Sequence, residues 1–320
     1  MTSLKAIVAL AALGWSLSAA AGPLASPKRG LAFTPNDTTR VDDTIWITQP
    51  SCLTWYYNYK AEPEPTFSES FSQSEFEFVP MMWGAPEDAS DTTFLETIKG
   101  LVKKGINITN VLSFNEPDGP WEWGGSDIEP AHAAKVWVSN LMPLQEMGIR
   151  VGLPATTGAP SGLVWLKSFL EECRKLVSTE KESRNCTYDF VTVHWYGNFE
   201  GLASHLGEYV ATFPNKTVWV TEYNLAHASL AETQAFYNIS AEYMDRLEEV
   251  ERYSLFGAFR SDVSNVGPNA AMLTADGQLT DIGNWYLGRP AAGVNPESLG
   301  TRLSVAWVLG LLGVVVSLVA

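Results

Sequence analysis

The chain contains 320 residues, of which 36 are Asp or Glu and 21 are Lys or Arg, giving a formal net charge of −15. Such an acidic protein is a poor partner for nucleic acid or anionic lipid, and its charge suits an extracellular protein that acts on a neutral polymer. Its three cysteines show no Cys-x-x-Cys or Cys/His ligand spacing, so neither a metal site nor a cofactor is predicted.

The first 21 residues have the pattern of a secretory signal peptide. Lys5 precedes the apolar stretch 6–15, and the small residues 18–21 follow it. The apolar stretch is too short to span a membrane, so we expect residues 1–21 to be removed during secretion. Beyond it, Lys28 and Arg29 are either a dibasic processing site or two exposed residues before the first strand.

Apolar runs rich in β-forming residues recur along the chain and predict eight strands. They cover residues 30–33, 54–59, 77–83, 110–115, 150–155, 190–196, 218–221 and 253–259. Several are continuously apolar, as expected for parallel strands that are covered on both faces. Between most of them, apolar residues at helical spacing predict helices over residues 91–104, 130–147, 163–176, 202–211, 230–249 and 281–287.

This alternation predicts an α/β fold, namely a single (β/α)8 TIM barrel over residues 28–290. A doubly wound sheet is the main alternative, but no glycine-rich phosphate loop follows the first strand. We therefore expect one catalytic domain between two processed ends.

The C-terminus carries a second apolar run, residues 303–320, with nothing after it. Small residues at 291–293 and a polar spacer at 294–302 precede this run, which is the pattern of a GPI-attachment signal. We expect residues 291–320 to hold this signal, with Gly293, Asn295 and Ser298 among the possible attachment points. A plain tail anchor is the alternative. The predicted location is the cell surface or cell wall, with the membrane contacted through the anchor only.

Features of a secreted chain recur in the body of the sequence. Cys173 and Cys186 flank a polar loop and are expected to form a disulfide, which leaves Cys52 as a buried thiol. Five Asn-x-Ser/Thr triplets predict N-glycosylation at Asn36, Asn107, Asn185, Asn215 and Asn238.

Two acidic residues close apolar runs and mark the predicted site. Glu116 ends the fourth predicted strand, and Glu222 ends the seventh. A carboxylate is costly to bury, and functional groups of a TIM barrel project from the C-terminal ends of its strands. These strands lie on opposite sides of the ring, so the two carboxyls are expected to face one another across its mouth. Such a pair can cleave a glycosidic bond.

The distance between the carboxyls decides the stereochemistry of cleavage. At about 5 Å one carboxylate attacks the anomeric carbon while the other protonates the leaving oxygen, and at about 7–9 Å a water fits between them. The sequence does not give this distance.

Segments around these strands resemble glycoside hydrolase family 128, the "glycosyl hydrolase catalytic core" proteins of clan A, many of them fungal β-1,3-glucanases. The resemblance extends over roughly residues 28–290, and six segments in order carry it: 28–33, 55–59, 79–84, 114–118, 193–196 and 220–223. It implies a retaining β-1,3-glucanase with a TIM-barrel fold. Leu255 departs from the family, which is expected to have tryptophan there, and so does the Trp-Glu-Trp sequence 121–123.

The resemblance implies individual roles. Glu116 would be the general acid/base and Glu222 the nucleophile, while Asn115 would hydrogen-bond the sugar hydroxyl beside the reacting carbon. Alternation along the sixth strand points His194 and Tyr196 to the same side, so we expect them to form the floor of the site, with Tyr196 orienting Glu222.

Aromatic and amide side chains near these strand ends are candidates for sugar contacts, because flat apolar rings suit the C–H faces of sugars. The candidates are Tyr57, Asn58 and Trp83, together with Trp121 and Trp123 of the loop after Glu116. The alternative for each ring is packing within the protein.

Two other functions fit the sequence. One is a GPI-anchored β-glucan-binding protein with little turnover, which the loop tryptophans and the anchor would suit. The other is a cell-wall transglycosylase, since the same covalent intermediate serves water or a sugar acceptor. The presence of both Glu116 and Glu222 favours the hydrolase, because a protein that only binds glucan needs neither an acid nor a nucleophile.

Overall fold

The computed structural model describes residues 26–296. The predicted signal peptide and the apolar C-terminal run lie outside these residues. Among the residues described, no helix combines the length and the apolar character that crossing a membrane requires.

Within the described chain, eight strands follow one another in sequence and all their pairings are parallel. They are β1 (Gly30–Ala32), β2 (Trp55–Tyr57), β3 (Glu77–Phe78), β4 (Asn110–Val111), β5 (Arg150–Val151), β6 (Phe190–Tyr196), β7 (Thr217–Asn224) and β8 (Val250–Leu255). Each predicted strand has a counterpart, and the predicted bounds of β6 are those observed. The α/β class is confirmed.

In residues 26–296 these strands form three small sheets, β1-β2-β3, β4-β5 and β6-β7-β8, and none of them closes on itself. Isolated parallel bridges lie between neighbouring sheets, at Met81–Leu112, Gly152–Phe190 and Arg29–Tyr253. Several strands are shorter than predicted. Pro80 and Pro154 contribute to this, because each lacks the N–H group that a strand ladder needs.

Helices separate most of the strands. They are α1 (Asp43–Ile47), α2 (Pro65–Ser68), α3 (Thr93–Lys103), α4 (Pro130–Val136), α5 (Met142–Glu146), α6 (Pro160–Val177), α7 (Phe199–Thr212), α8 (Leu230–Arg246) and α9 (Asp281–Tyr286). The single helix predicted over residues 130–147 is divided by a π-helical turn, Trp137–Leu141. Pro143 explains the division, because its ring would clash with the carbonyl of residue 139 in a continuous α-helix.

Aromatic rings and paired charges pack at the N-terminal ends of the strands, opposite the predicted site. Trp219 stacks on Phe190 with ring centroids 4.1 Å apart. The guanidinium of Arg252 lies 4.3 Å from the Trp219 ring centroid, and it also bonds the Glu77 carboxylate at 2.6 Å. This layer ties the starts of β3, β7 and β8 together and leaves the opposite end for chemistry.

The Lys28-Arg29 pair is part of the folded body. The Arg29 side chain is fully buried, and its Nε donates to the Tyr253 hydroxyl at 2.9 Å. Lys28 Nζ donates to the carbonyls of Met244 and Leu247. Both side chains therefore have structural roles, and processing at this dibasic pair would require local unfolding.

The predicted disulfide between Cys173 and Cys186 is present, and it joins α6 to the loop that follows it. Cys52 is a free thiol, half-buried rather than buried, and its Sγ donates to the Tyr286 carbonyl at 3.2 Å.

Replacing Cys173 and Cys186 with alanine is expected to lower the free energy of unfolding by about 3 kcal/mol. The two cysteines are 13 residues apart, and the bridge restricts the loop between them in the unfolded chain. Urea denaturation in the absence of reductant measures the change. Cys52→Ala is the control, since it removes a thiol without removing a cross-link. An unchanged denaturation midpoint in the double variant would contradict a stabilising role for the bridge.

Candidate active site

The Glu222 carboxylate is held by two tyrosine hydroxyls. Glu222 lies on β7 with only 6% of its surface exposed. Tyr196 donates a hydrogen bond to Oε2 at 2.6 Å, and Tyr59 donates one to Oε1 at 2.8 Å. We call these two residues the tyrosine clamp. Because each oxygen has its own donor, the plane of the carboxylate is fixed before any ligand arrives.

The Glu116 carboxylate lies opposite, on a strained backbone. Glu116 has a φ of 41°, in the left-handed region that non-glycine residues seldom adopt. Its N–H donates to the Ala155 carbonyl at 2.6 Å, and its own carbonyl accepts from Gly119 and Ser126. Such strain is retained where the surrounding structure enforces it, and it is concentrated at functional positions.

His194 lies between the two carboxylates. Its Nδ1 is 3.0 Å from Glu116 Oε1 and 3.6 Å from Glu222 Oε2, and its side chain is fully buried. The strand register explains the meeting, because His194 of β6 pairs with Glu222 of β7. One ligand atom from each of the three residues lies within 4.8 Å of the others, a spacing that could also hold a cation. The absence of a metal site stays a prediction.

Burial and charge act together on this cluster. Burial raises the pKa of Glu222; the neighbouring His194 lowers it, Glu116 raises it, and the hydrogen bonds from the tyrosine clamp lower it, with a net upward shift. Burial lowers the pKa of His194, but Glu222 and Glu116 outweigh it, so that pKa is raised. Burial, followed by the charge of Glu222, raises the pKa of both clamp tyrosines, which therefore remain hydrogen-bond donors.

A pH dependence follows for Tyr196→Phe. The role predicted for Glu222, that of a nucleophile, requires the ionised carboxylate, and the lost hydrogen bond is one of the contacts that lower its pKa. The acidic limb of the kcat/KM profile is therefore expected to move to higher pH in the variant. Tyr243→Phe, on the remote helix α8, is the matched control. Identical acidic limbs in all three proteins would show that Tyr196 does not tune this carboxylate.

Asn115 precedes Glu116 and is also buried. Its Nδ2 donates to the Gly124 carbonyl at 3.1 Å, whereas its Oδ1 has no hydrogen-bond partner among residues 26–296. A buried amide oxygen without a partner is costly. The Asn115 Oδ1 therefore keeps its capacity to accept a hydrogen bond beside Glu116.

Two tryptophans, Trp83 and Trp121, lie next to this cluster, and a third, Trp123, is in the loop after Glu116. Trp83 contacts Trp121 edge to face, with ring centroids 5.0 Å apart. Trp121 and Trp123 expose 66% and 83% of their surface. Trp83 also lines a groove of about 480 Å³ together with Tyr59, so the groove begins beside the clamp. These tryptophan rings and the groove could contact a polymeric ligand that extends out of the site.

Two sequence candidates are not placed for sugar contact. Tyr57 has no exposed surface, and its hydroxyl donates to the Thr221 carbonyl at 2.8 Å. Asn58 is buried, and its side chain bonds the backbone of Glu62 and Lys60. The side chains of Tyr57 and Asn58 therefore bond the protein backbone and have structural roles next to the site.

The residue that sequence reasoning missed is Tyr59. Residues 57 and 59 alternate to the same side in an extended chain, which was an available signal. Tyr59, however, follows the end of β2 and has a φ of 61°. This left-handed turn aims its hydroxyl at Glu222. Leu255, where tryptophan was expected, is buried and contributes no ring to the site.

The fold and this carboxylate pair define a class of protein, the glycosidases. A profile of the family "Glycosyl hydrolase catalytic core" matches residues 30–286, and the chain belongs to this family. The resemblance seen in the sequence is thereby confirmed.

Alkali-sensitive linkage protein 1 of Schizosaccharomyces pombe is 29% identical over 273 residues, which make up 82% of this chain and 44% of that protein. The chain thus spans less than half the length of this relative.

Solved structures share the fold. A family 128 (subgroup VI) exo-β-1,3-glucanase from Aureobasidium namibiae has a TM-score of 0.66 and 21% identity, over 85% of this chain and 99% of that chain. A subgroup III curdlan-specific exo-β-1,3-glucanase from Blastomyces gilchristii has a TM-score of 0.61 and 25% identity, over 83% and 99%. A subgroup VII oligosaccharide-binding protein from Cryptococcus neoformans has a TM-score of 0.60 and 22% identity, over 83% and 95%.

Proposed function

We propose that this protein is a retaining glycoside hydrolase that cleaves β-1,3-glucan by double displacement. Glu222 is the nucleophile and Glu116 the general acid/base. The observation that carries the proposal is the approach of the two carboxylates, whose ligand atoms lie within 4.8 Å of one another. This approach is nearer to the separation of about 5–5.5 Å between the carboxyl groups of retaining enzymes than to the roughly 6.5–9.5 Å of inverting ones.

In the first step, a Glu222 oxygen bonds the anomeric carbon as the glycosidic C–O bond breaks, and Glu116 gives its proton to the leaving oxygen. The tyrosine clamp keeps the attacking carboxylate in plane. In the second step, water gives a proton to Glu116 and its hydroxyl to the anomeric carbon, which releases Glu222. Asn115 supplies a contact to the sugar hydroxyl next to the reacting carbon.

β-1,3-Glucan is the proposed substrate because the solved neighbours include β-1,3-glucanases. The groove beside Tyr59 and the rings of Trp83, Trp121 and Trp123 suit a neutral polymer with apolar sugar faces. We assign the polymer contacts to these rings, and the floor of the site to His194 and Tyr196.

The finer fold assignment is a complete (β/α)8 barrel over residues 28–290. Parallel bridges between the sheets support it, because they join the segments of β3 and β4, of β5 and β6, and of β8 and β1. Together with the sheet order they would link all eight strands into one ring.

Product analysis tests the activity. The protein without its two terminal signals is incubated with linear β-1,3- and β-1,4-glucans, and the first products are identified by NMR. We expect β-anomers from the β-1,3-glucan alone. Initial α-anomers would overturn the retaining mechanism, and cleavage of the β-1,4-glucan alone would overturn the substrate. Products longer than the substrate would identify transglycosylation as the main reaction.

A glucan-binding protein with little turnover is the second candidate, favoured by the neighbour described as an oligosaccharide-binding protein. It would bind laminarin without releasing reducing sugar, both as the native protein and after replacement of both glutamates by Gln. The hydrolase would lose turnover only in the variant.

The extracellular location is also proposed. The disulfide supports it, because such bonds persist in oxidising compartments. Asn107, Asn185 and Asn215 are exposed, whereas Asn36 and Asn238 are half-buried. Expression in a eukaryotic host is expected to give protein that a phosphatidylinositol-specific phospholipase releases from cells and an N-glycanase shortens on a gel. Release without phospholipase would contradict the anchor, and unchanged mobility would contradict the glycans.

A further inference from the structure

A second cleft lies on the flank of the body, on the other side of strand β6 from the carboxylates. Its volume is about 380 Å³, within the range of roughly 300–1,000 Å³ typical of small-molecule sites. The indole of Trp195 forms one wall. Gly201, Ser204, His205 and Glu208 of α7 line a second side, and residues 158–160 before and at the start of α6 line a third.

The Trp195 wall is held in place before any ligand binds. Its Nε1 donates to the Asn198 carbonyl at 3.0 Å, and its ring packs against His205 at a centroid distance of 5.1 Å. A Cβ at Gly201 would lie 2.2 Å from the indole, so only glycine allows α7 to approach the ring this closely. The indole remains half-exposed toward the cleft. A rigid ring loses little conformational entropy on binding.

His205 adds a second observation that indicates a ligand. Its side chain is 8% exposed and lines the cleft, and its Nε2 has no hydrogen-bond partner among the residues described. Burial lowers the pKa of His205, which favours the neutral ring. A buried polar atom without a partner is costly unless something satisfies it.

The chemistry of the lining identifies the class of ligand. It combines one flat indole with a hydroxyl, an imidazole and the Glu208 carboxylate, and no cation is among the residues that form it. The whole chain carries a net charge of −15. An anionic ligand is therefore disfavoured, and a neutral polyhydroxylated ring with an apolar face is favoured.

We propose that this cleft, which we call the Trp195 cleft, is a second glucan-binding site outside the active site. Trp195 lies between His194 and Tyr196 on β6, so one strand presents two residues to the catalytic carboxylates and one to the cleft. The Trp195 cleft would hold an insoluble glucan against the protein while another segment is cleaved. The choice of β-1,3-glucan as its ligand rests on the proposed function.

Retention on insoluble curdlan tests the Trp195 cleft. All proteins carry Glu222→Gln, so that turnover does not change the bound amount. Ser204→Tyr places a bulky side chain at an exposed position of the lining. Gly207→Tyr is the matched control, because it adds the same side chain to the same helix outside the lining, where a new Cβ meets open space. We expect Ser204→Tyr to bind curdlan about fivefold more weakly than the control.

A spectroscopic readout accompanies the retention assay. Titration with laminaribiose is expected to move the NMR signals of the His205 ring, because this ring lines the Trp195 cleft and not the active site. Equal retention of the two tyrosine variants, or unmoved His205 signals, would overturn the proposal. The proposed function is tested by a separate assay. It fails if the native protein releases no reducing sugar from soluble laminarin.

Discussion

Glu222→Gln is expected to reduce kcat for laminarin hydrolysis by about 10⁴-fold or more, the usual order for loss of a nucleophile. The amide cannot form the glycosyl–enzyme bond, although it has nearly the shape of the carboxylate. Reducing-sugar release measures the loss. Glu180→Gln, at an exposed position far along the chain, is the matched control and should retain full activity. Substantial activity in Glu222→Gln would remove Glu222 from the nucleophile's role.

The same variant is expected to be more stable than the native protein at neutral pH. The folded protein raises the pKa of Glu222, mainly through burial, so its ionised form opposes folding. This cost is present above the folded pKa and disappears below the unfolded value of 4.5, where the native side chain is protonated in both states. Melting temperatures at neutral and at acidic pH measure it. A gain in stability would also show that the lost activity is not caused by unfolding.

Glu116→Ala is expected to have the second largest effect, and that effect depends on the substrate. A glucosyl oxygen is a poor leaving group and needs a proton, so laminarin hydrolysis should fall by about 10³–10⁴-fold, at the upper end of what acid–base catalysis contributes. A dinitrophenolate leaves without a proton. Hydrolysis of dinitrophenyl β-laminaribioside should therefore begin with a burst of dinitrophenol, because formation of the glycosyl enzyme survives while its breakdown is slow.

Azide provides the control for this second prediction. It needs no general base and fits the space left by the removed side chain, so it should accelerate the slow second step and give a β-glycosyl azide. The Glu180→Ala variant should give neither a burst nor an azide product. Equal losses on laminarin and on the dinitrophenyl substrate would argue that Glu116 is not the proton donor.

The carboxylates could be anticipated from sequence because each closes an apolar run, and the cost of burying a carboxylate makes that position informative. Strand β6 was predicted with its observed bounds because its residues are mostly β-branched or aromatic. For Tyr59 the alternation with Tyr57 was an available signal, but the left-handed backbone after β2 that aims its hydroxyl at Glu222 is not revealed by any periodicity. Strands β3 and β5 are shorter than predicted because Pro80 and Pro154 follow them. A proline shortens a strand only where its missing N–H group would have bonded the neighbouring strand, and the sequence does not show this.

The loop after Glu116 illustrates the same limit. Its sequence left open whether the tryptophans are exposed or pack within the protein, and the structure shows Trp121 and Trp123 exposed. The N–H groups of Gly119 and Ser126 donate hydrogen bonds to the Glu116 carbonyl. These bonds depend on how the loop folds back on itself, which the sequence pattern does not show. A Cβ at Gly125 would lie 2.1 Å from the Gly119 carbonyl, which explains why glycine is needed in this turn.

The tyrosine clamp has a consequence for synthesis. If Glu222 were shortened to glycine, the hydroxyls of Tyr59 and Tyr196, which now bond its two oxygens, would face the gap left behind. Fluoride accepts such hydrogen bonds, so the gap suits the departing halide of an α-glucosyl fluoride donor. With no nucleophile to break the new linkage, the shortened protein would assemble oligosaccharides instead of degrading them.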